Sequence, residues 1–278
     1  MDVSPGKGVG VMATIEDTHA AIHARDVGIA YGDFVAAENV NLTVQRGEFL
    51  CLLGPSGCGK STLLSAFGGF VPISAGTLQV HDSDQSSRTD VGFVFQDSDA
   101  LFGWLTVSQN ISFGARMKGA SRKEQAEVAA KYADLVGLSH CMDHFPKQLS
   151  GGMRQRLQLA RVLANEPDIV LMDEPFGALD AQTREVMQRE LARIWSLQGC
   201  TIVFVTHDIE ESLLLADRIA IMKAGPASSI KSIHDVDLAR PRDPVDPDFV
   251  RLHSILRQEI GAEVRKALRG QGLDEDLT

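Results

Sequence analysis

The chain has 278 residues, 44% of them hydrophobic, and a formal net charge of −10. That balance suits a globular protein able to bury a core, as one large α/β domain or two small ones. The acidic excess argues against a nucleic-acid binder held by broad charge, and no apolar run nears the ~20 residues of a membrane helix.

Residues 1 to about 20 read as a flexible leader of small and polar residues, without a signal peptide's apolar core. Strands are expected around Ala21–Tyr31 and Val40–Gln45. The turn Arg46-Gly47-Glu48 then leads into the apolar run Phe49–Leu53, a Gly-rich loop, and a helix from Lys60 to about Phe67. Strand, glycine loop and helix in that order form the nucleotide-binding layout of an α/β fold. Ser74–Asp90 is polar and reads as turns, and Val91–Phe95 as a short strand closed by Gln96.

From Asp97 to about Leu163 only helices are expected, with apolar residues near helical spacing in Ser121–Leu138. This block reads as a helical insertion into the α/β core. The pattern resumes with a strand at Ile169–Met172 and a helix at Ala181–Gln198, stopped by Gly199. A strand at Thr201–Val205 follows, then a helix at Ile209–Ala216 capped by Asp208, and a last strand at Ile219–Met222. Beyond Gly225 the signals weaken. PRDPVDP interrupts the chain, and Asp248–Leu268 reads as one amphipathic helix. The expected division is a leader (1–20), a nucleotide-binding domain (21–225, helical part about 97–163) and a C-terminal extension (226–278).

Cys51, Cys58, Cys141 and Cys200 show no C-x-x-C spacing, which fits a reducing compartment. His140, Cys141 and His144, in HCMDH, match no standard zinc spacing and read as a loop ahead of a helix.

The chemistry concentrates in three segments. GPSGCGKS fits G-x-x-x-x-G-K-[ST]. Its glycines let backbone N–H groups turn inward around phosphate oxygens, and the next helix aims its positive end at the same anion. Gly54, Pro55, Ser56, Gly57, Cys58 and Gly59, followed by Lys60, Ser61 and Thr62, form the candidate cradle. Lys60 reaches the outer phosphates, and the Ser61 hydroxyl is a candidate Mg²⁺ ligand. In IVLMDEP a buried strand ends in two carboxylates, beside the glycine loop of an open parallel sheet. Asp173 is a further Mg²⁺ ligand, and Glu174 the candidate base for the attacking water. His207 ends the next strand, placed to reach a γ-phosphate. Gln96 ends another, placed to sense metal and attacking water without adding charge.

The third segment, LSGGMRQR, carries no acid, thiol or metal ligand. Ser150 is a good helix N-cap, and Gly151 and Gly152 expose free N–H groups, making a second anion cradle. The chain's own nucleotide is already held at Lys60. The economical inference is that this cradle serves the nucleotide of another copy.

Together GPSGCGKS, Gln96, LSGGMRQR, LMDEP, GALD and His207, in this order over about residues 20–225, resemble the ATP-binding subunit of ABC transporters. The resemblance implies a P-loop NTPase (RecA-like) α/β core with an antiparallel β-subdomain and a helical subdomain. It implies ATP and Mg²⁺ as ligands, and a head-to-tail pair of copies that is by default a homodimer. Each ATP would lie between one copy's Gly54–Ser61 and the other's Ser150–Gly152. By motif match Asp180 resembles the acid linking the two sites, and Tyr31 the aromatic that stacks on adenine. Gln96 would relay the ATP state to the helical subdomain, which docks a transmembrane permease served by a solute-binding protein. The implied location is peripheral, on the cytoplasmic face of the bacterial inner membrane, with no nucleic-acid partner.

Within that family, FGGFVP, LFGWLTV, LMDEPFGALDAQTREVMQREL and FVTHDIEESLLLADRIAIM are similar to importers of nitrate, sulfonate, taurine and bicarbonate. Gly103 stands where those commonly carry proline, QDSDALFGW is one residue longer, and HDSDQSSRTD is short. These departures bear on permease and solute rather than on ATP chemistry. The alternatives are a non-transport ABC ATPase, of the iron–sulfur assembly type by size, and a small-molecule kinase, which has no use for LSGGMRQR.

Overall fold

FLCLL (β3, Phe49–Leu53) and TIVFVT (β7, Thr201–Thr206) are buried at every position and pair in parallel. Strands buried on both faces need cover on both, which is why their side chains are apolar without alternation. The covering splits by period two: Phe49, Cys51 and Leu53 enter one core cluster, Leu50 and Leu52 the other. The computed structural model describes residues 20–80, 91–95, 100–177 and 179–270.

The six-stranded sheet runs β5 (Val91–Val94), β6 (Ile169–Asp173), β7, β3, β8 (Arg218–Met222), β9 (Ile230–Asp235), all parallel except β9. Register sets Leu53 beside Thr206 and Asp173 beside Val205. The strand ends carrying the glycine loop, the acids and His207 therefore meet at one edge of the sheet, where open α/β sheets bind ligands. A second, antiparallel sheet runs β2 (Phe34–Gln45), β1 (Ala20–Tyr31), β4 (Ala75–Val80).

The helices follow in chain order: α1 (Lys60–Phe67), α2 (Val107–Ile111), α3 (Phe113–Met117), α4 (Arg122–Leu135), α5 (Gly151–Leu163), α6 (Ala181–Gln198), α7 (Ile209–Leu215) and α8 (Pro247–Gly270). Ser121 and Glu124 start α4 with reciprocal side-chain to backbone hydrogen bonds of 3.3 and 2.7 Å. Val107 and Ile111 of α2, Tyr132 and Ala133 of α4 and Leu157 and Ala160 of α5 share one core cluster with Phe49 and Met172 of the sheet.

Three elements differ from the sequence expectation. β2 starts at Phe34 rather than Val40, because Gly32 (φ +59°) and Asp33 close a two-residue hairpin that pairs Tyr31 with Phe34. β4 forms within the polar stretch expected to be turns. It is a half-exposed edge strand whose ladder comes from β1, so it needs no apolar pattern of its own. Ile219–Met222 is not the last strand, since IKSIHD adds β9 along β8 under the cover of α8. At HCMDH, Cys141 is buried with its thiol donating to the Leu138 carbonyl at 3.3 Å, between exposed His140 and His144. Among the described residues no group of three His, Cys, Asp or Glu is placed to hold a metal ion.

Candidate active site

β3 delivers the chain into the glycine loop, and α1 carries it away. Gly59 caps α1 in the left-handed conformation (φ 91°, ψ 10°) with no side-chain cap bond, so the first helical N–H groups stay turned toward the loop. A Cβ at Gly59 would stand 3.0 Å from the Ala36 carbonyl oxygen of β2. Only a residue without a side chain lets the loop close that tightly against the second sheet. Lys60 is 5% exposed, and its ammonium donates to the Gly54 and Pro55 carbonyls at 2.8 and 2.9 Å. The charge is thereby held across the mouth of the loop. Ser56 and Gly57 are exposed, and Thr62 is half-buried behind them. Burial pushes the Cys58 thiol up, so it stays protonated and serves as packing against Gly54.

Ser61 donates its hydroxyl to the Asp173 carboxylate at 2.9 Å, joining the glycine loop to the end of β6. Burial raises the Asp173 carboxyl; the Ser61 bond offsets part of that and the Glu174 charge adds to it. A desolvated carboxylate beside a hydroxyl is a hard-oxygen pair that suits Mg²⁺. Glu174 occupies the left-handed region (φ 43°), unusual for a residue with a side chain. Its backbone is tied from both sides: its N–H donates to the Val205 carbonyl at 3.0 Å, and its carbonyl accepts from Gly177 N at 3.1 Å. Strain kept at this position aims the carboxylate, which lies 3.2 Å from His207 Nδ1. The His207 side chain is 60% exposed, open to the space above the strand ends.

Ser150 caps α5, its hydroxyl accepting from Met153 N at 3.3 Å. Gly151 is exposed and meets nothing closer than the Arg154 guanidinium, 4.0 Å from its Cβ position. A Cβ on Gly152 would press on Leu179 and Thr183, at 3.1 and 3.2 Å. Those two residues flank Asp180, whose carboxylate caps α6 by accepting from Thr183 N at 3.0 Å; this bond lowers its pKa. Ser150, Gly151, Gly152 and Asp180 thus sit at two adjoining helix starts. Tyr31 is 52% exposed at the β1–β2 hairpin, on the ribbon whose Ala36 backs Gly59. Gln96 lies outside the described residues.

Sequence reasoning missed Gln158 and Arg161, one turn apart on α5. Gln158 donates to the Phe95 carbonyl at 3.2 Å, and Arg161 donates to the Ala100 carbonyl with its guanidinium 4.3 Å over the Phe102 ring. Polar side chains on an amphipathic helix look alike in sequence, so nothing local marked these two as grips on the chain either side of Gln96.

A glycine-rich turn at an uncapped helix start, an inward lysine and the Ser61–Asp173 pair fit a nucleoside triphosphate with its Mg²⁺. Comparison with known proteins agrees on the nucleotide. The family model described as ABC transporter matches residues 37–177. The bicarbonate transport ATP-binding protein CmpD of Synechocystis is 42% identical over 231 residues, 81% of this chain and 82% of that protein. The nitrate import ATP-binding protein NrtD of Synechocystis is 39% identical over 249 residues, 88% of this chain and 92% of that protein. A dimeric ATP-binding cassette solved in a post-hydrolysis state with ADP and phosphate is 32% identical with a TM-score of 0.69, covering 78% of this chain and all of that one. The chain belongs to the ABC transporter ATP-binding proteins, with their P-loop α/β fold, and is an ATPase of that family.

Proposed function

We propose that the chain is the motor subunit of an importer for a small anion such as nitrate, bicarbonate, taurine or another sulfonate. Two copies would work head to tail on a peripheral site at the cytoplasmic face of the inner membrane. The observation that carries this is the division of the site. The glycine loop, Asp173, Glu174 and His207 gather at the strand ends, while the Ser150–Gly152 cradle and Asp180 gather at two helix starts. Each group is half of what a triphosphate in the transition state needs. The nitrate and bicarbonate relatives support an anionic solute. The proposed working unit is residues 21–225, followed by an extension over 226–278.

In this reading Gly54–Ser61 with Thr62 binds the phosphates, and Tyr31 stacks on the adenine. Lys60 releases its carbonyl partners to follow the β- and γ-oxygens. Ser61, Asp173 and Gln96 would hold Mg²⁺, which supplies neutralisation of phosphate charge. Glu174 accepts the proton of the attacking water; His207, hydrogen-bonded to Glu174, reaches the departing γ-phosphoryl group. Ser150, Gly151 and Gly152 of the second copy close over the same phosphates, and its Asp180 links the two sites. ATP binding favours the closed pair and hydrolysis reopens it, so the affinity difference between states moves the permease. Exposed Trp104, packed on Phe102, gives the helical part an apolar contact for that permease.

Glu174→Gln should bind ATP, hydrolyse it at least a hundredfold more slowly, and run as a dimer in size exclusion with ATP and Mg²⁺. A variant that binds ATP yet stays monomeric sinks the head-to-tail mechanism. For the solute, the chain is co-purified with its permease, and binding protein loaded with nitrate, bicarbonate or taurine is added to liposomes. Stimulated ATPase activity with one anion is the expected outcome. Recovery of a soluble scaffold instead of a permease would favour the iron–sulfur assembly reading.

A further inference from the structure

Helix α8 reaches the back of the glycine loop through a buried carboxylate. Glu263 of α8 is 1% exposed. One of its oxygens accepts from Ala224 N at 3.0 Å, and the other faces Lys231 Nζ at 2.9 Å and Lys266 Nζ at 2.8 Å. Ala224 follows β8 at the start of a strap, residues 223–229, that lies directly behind the loop. Met222 O would be 3.2 Å from a Cβ on Gly54. A Cβ on Gly225 would stand 3.1 Å from Gly57 O and 3.3 Å from Cys58 Cα. The strap's far end is pinned to β2, with Ala227 N donating to Val35 O at 2.8 Å and Ser228 N to Ala36 O at 3.3 Å. That Ala36 carbonyl is the one abutting Gly59. The strap is further closed on itself by Lys223 N to Ser229 O and Ser228 Oγ to Lys223 O, at 3.0 and 2.7 Å.

The loop's N–H groups can converge on phosphate only if its outer side is held. β2 holds that side at Gly59, and the strap holds it at Gly57 and Cys58. The strap itself is anchored at one end by β2 and at the other by Glu263. We propose that Glu263 is a positioning residue for nucleotide binding, which fastens the 223–229 strap against the glycine loop so that the Glu263–Ala224 link sets the loop's affinity for ATP. The inference rests on Gly54–Ser61 being the nucleotide cradle. Burial alone would raise the Glu263 carboxyl, but the bonds from Lys266, Ala224 and Lys231 outweigh it and hold it down at about 2, so the anchor stays ionised at physiological pH. Breaking the link from Glu263 to Ala224 should therefore loosen ATP binding, although α8 reaches the loop only from behind, through the strap. α8 also buries Phe249 and Leu256 in the core that covers α7, the helix following His207.

The test measures ATP affinity, KM, kcat and melting temperature on the full chain. Glu263→Ala should weaken ATP binding about tenfold (~1.4 kcal/mol) and raise KM, with kcat at saturating ATP within about twofold. Glu263→Gln keeps an oxygen for Ala224 N–H and should bind ATP within about threefold of the parent. Glu259→Gln is the control. It loosens the same helix at Ser232 and His234, where Glu259 makes contacts of 2.6 and 3.2 Å, without touching the strap. It should lower the melting temperature and leave ATP binding unchanged. Equal loss of affinity in the Glu259 and Glu263 variants, or a folded Glu263→Ala chain with parental affinity, overturns the proposal.

Should Glu263→Ala fail to fold, hydrogen exchange of the unaltered chain decides. ADP should slow exchange both in residues 223–229 and around Glu259–Lys266, because coupling is reciprocal. Unchanged exchange at α8 refutes it. Lys60→Ala separates the two layers: if that chain still binds ATP, the cradle reading itself is wrong, whereas its loss of binding beside an unaffected Glu263→Ala removes only the latch.

Discussion

Gly59→Ala should damage the protein twice, and the structure says by how much. The left-handed backbone at φ 91° costs a residue with a Cβ ~1–2 kcal/mol. The new methyl would also stand 3.0 Å from the Ala36 carbonyl oxygen, a backbone atom held by Ser228 N and the β1–β2 ladder. Crowding of that kind costs ~1–3 kcal/mol. The sum is about 2–5 kcal/mol, or a melting temperature lower by roughly 4 to 20 °C for a chain of this size. Gly57→Ala isolates the first contribution. It shares the positive φ, +77°, but its Cβ meets nothing within 4 Å, so it should lose only ~1–2 kcal/mol. The assay is thermal unfolding by circular dichroism with and without ATP. Saturation at a hundredfold over Kd should stabilise the parent by about 2.7 kcal/mol, and the Gly59 variant by markedly less. If the two alanine variants melt together, the Ala36 contact does not constrain the loop. If Gly59→Ala melts with the parent, the tight closure against β2 is wrong.

Ser61→Ala removes the 2.9 Å bond to Asp173. It should cost ~1 kcal/mol of stability and, in the proposed site, raise the Mg²⁺ concentration needed for half-maximal ATPase activity. Gly151→Asp enters open space and should fold and bind ATP as an isolated chain while losing most turnover; equal turnover would overturn the shared site. Gly152→Asp must displace Leu179 and Thr183, so it should lower the melting temperature as well, which circular dichroism would show. Acid unfolding reports on Glu263. Its folded carboxyl is depressed to about 2, so its contribution is fully present above the ordinary carboxylate range and is lost as pH falls through 2. Glu263→Gln should flatten the stability curve over that interval, seen as a smaller drop in melting temperature between pH 5 and 2.5.

The elements legible in sequence were those whose environment is written in their own residues. β3, β6 and β7 carry continuous apolar runs because both faces are covered, and α6 and α7 carry their own caps in Asp180 and Asp208. Elements whose stability is borrowed stayed hidden. β4 and β9 are half-exposed edge strands held by a neighbour's ladder, so their side chains need no apolar alternation. The early start of β2 depended on a Gly-Asp hairpin between residues that form no alternating run.

The same division holds at the site. GPSGCGKS, LMDEP and LSGGMRQR announce backbone geometry and charge that only a few residue types can supply, so the candidates for facing phosphate could be named from spacing alone. What stands behind them was not. The Ala36 carbonyl against Gly59, the left-handed Glu174 tied to Val205, the pairing of Gly152 with the α6 cap and the reach of Glu263 to Ala224 are all contacts between segments far apart in the chain. They use carbonyls, amides and ordinary acids, which occur everywhere in a sequence. The sequence by itself determined which groups can meet a nucleotide, because that chemistry requires rare local patterns. Only the tertiary structure decided which groups hold them in place, because support is a matter of distance, and distance between remote residues exists only once the chain has folded.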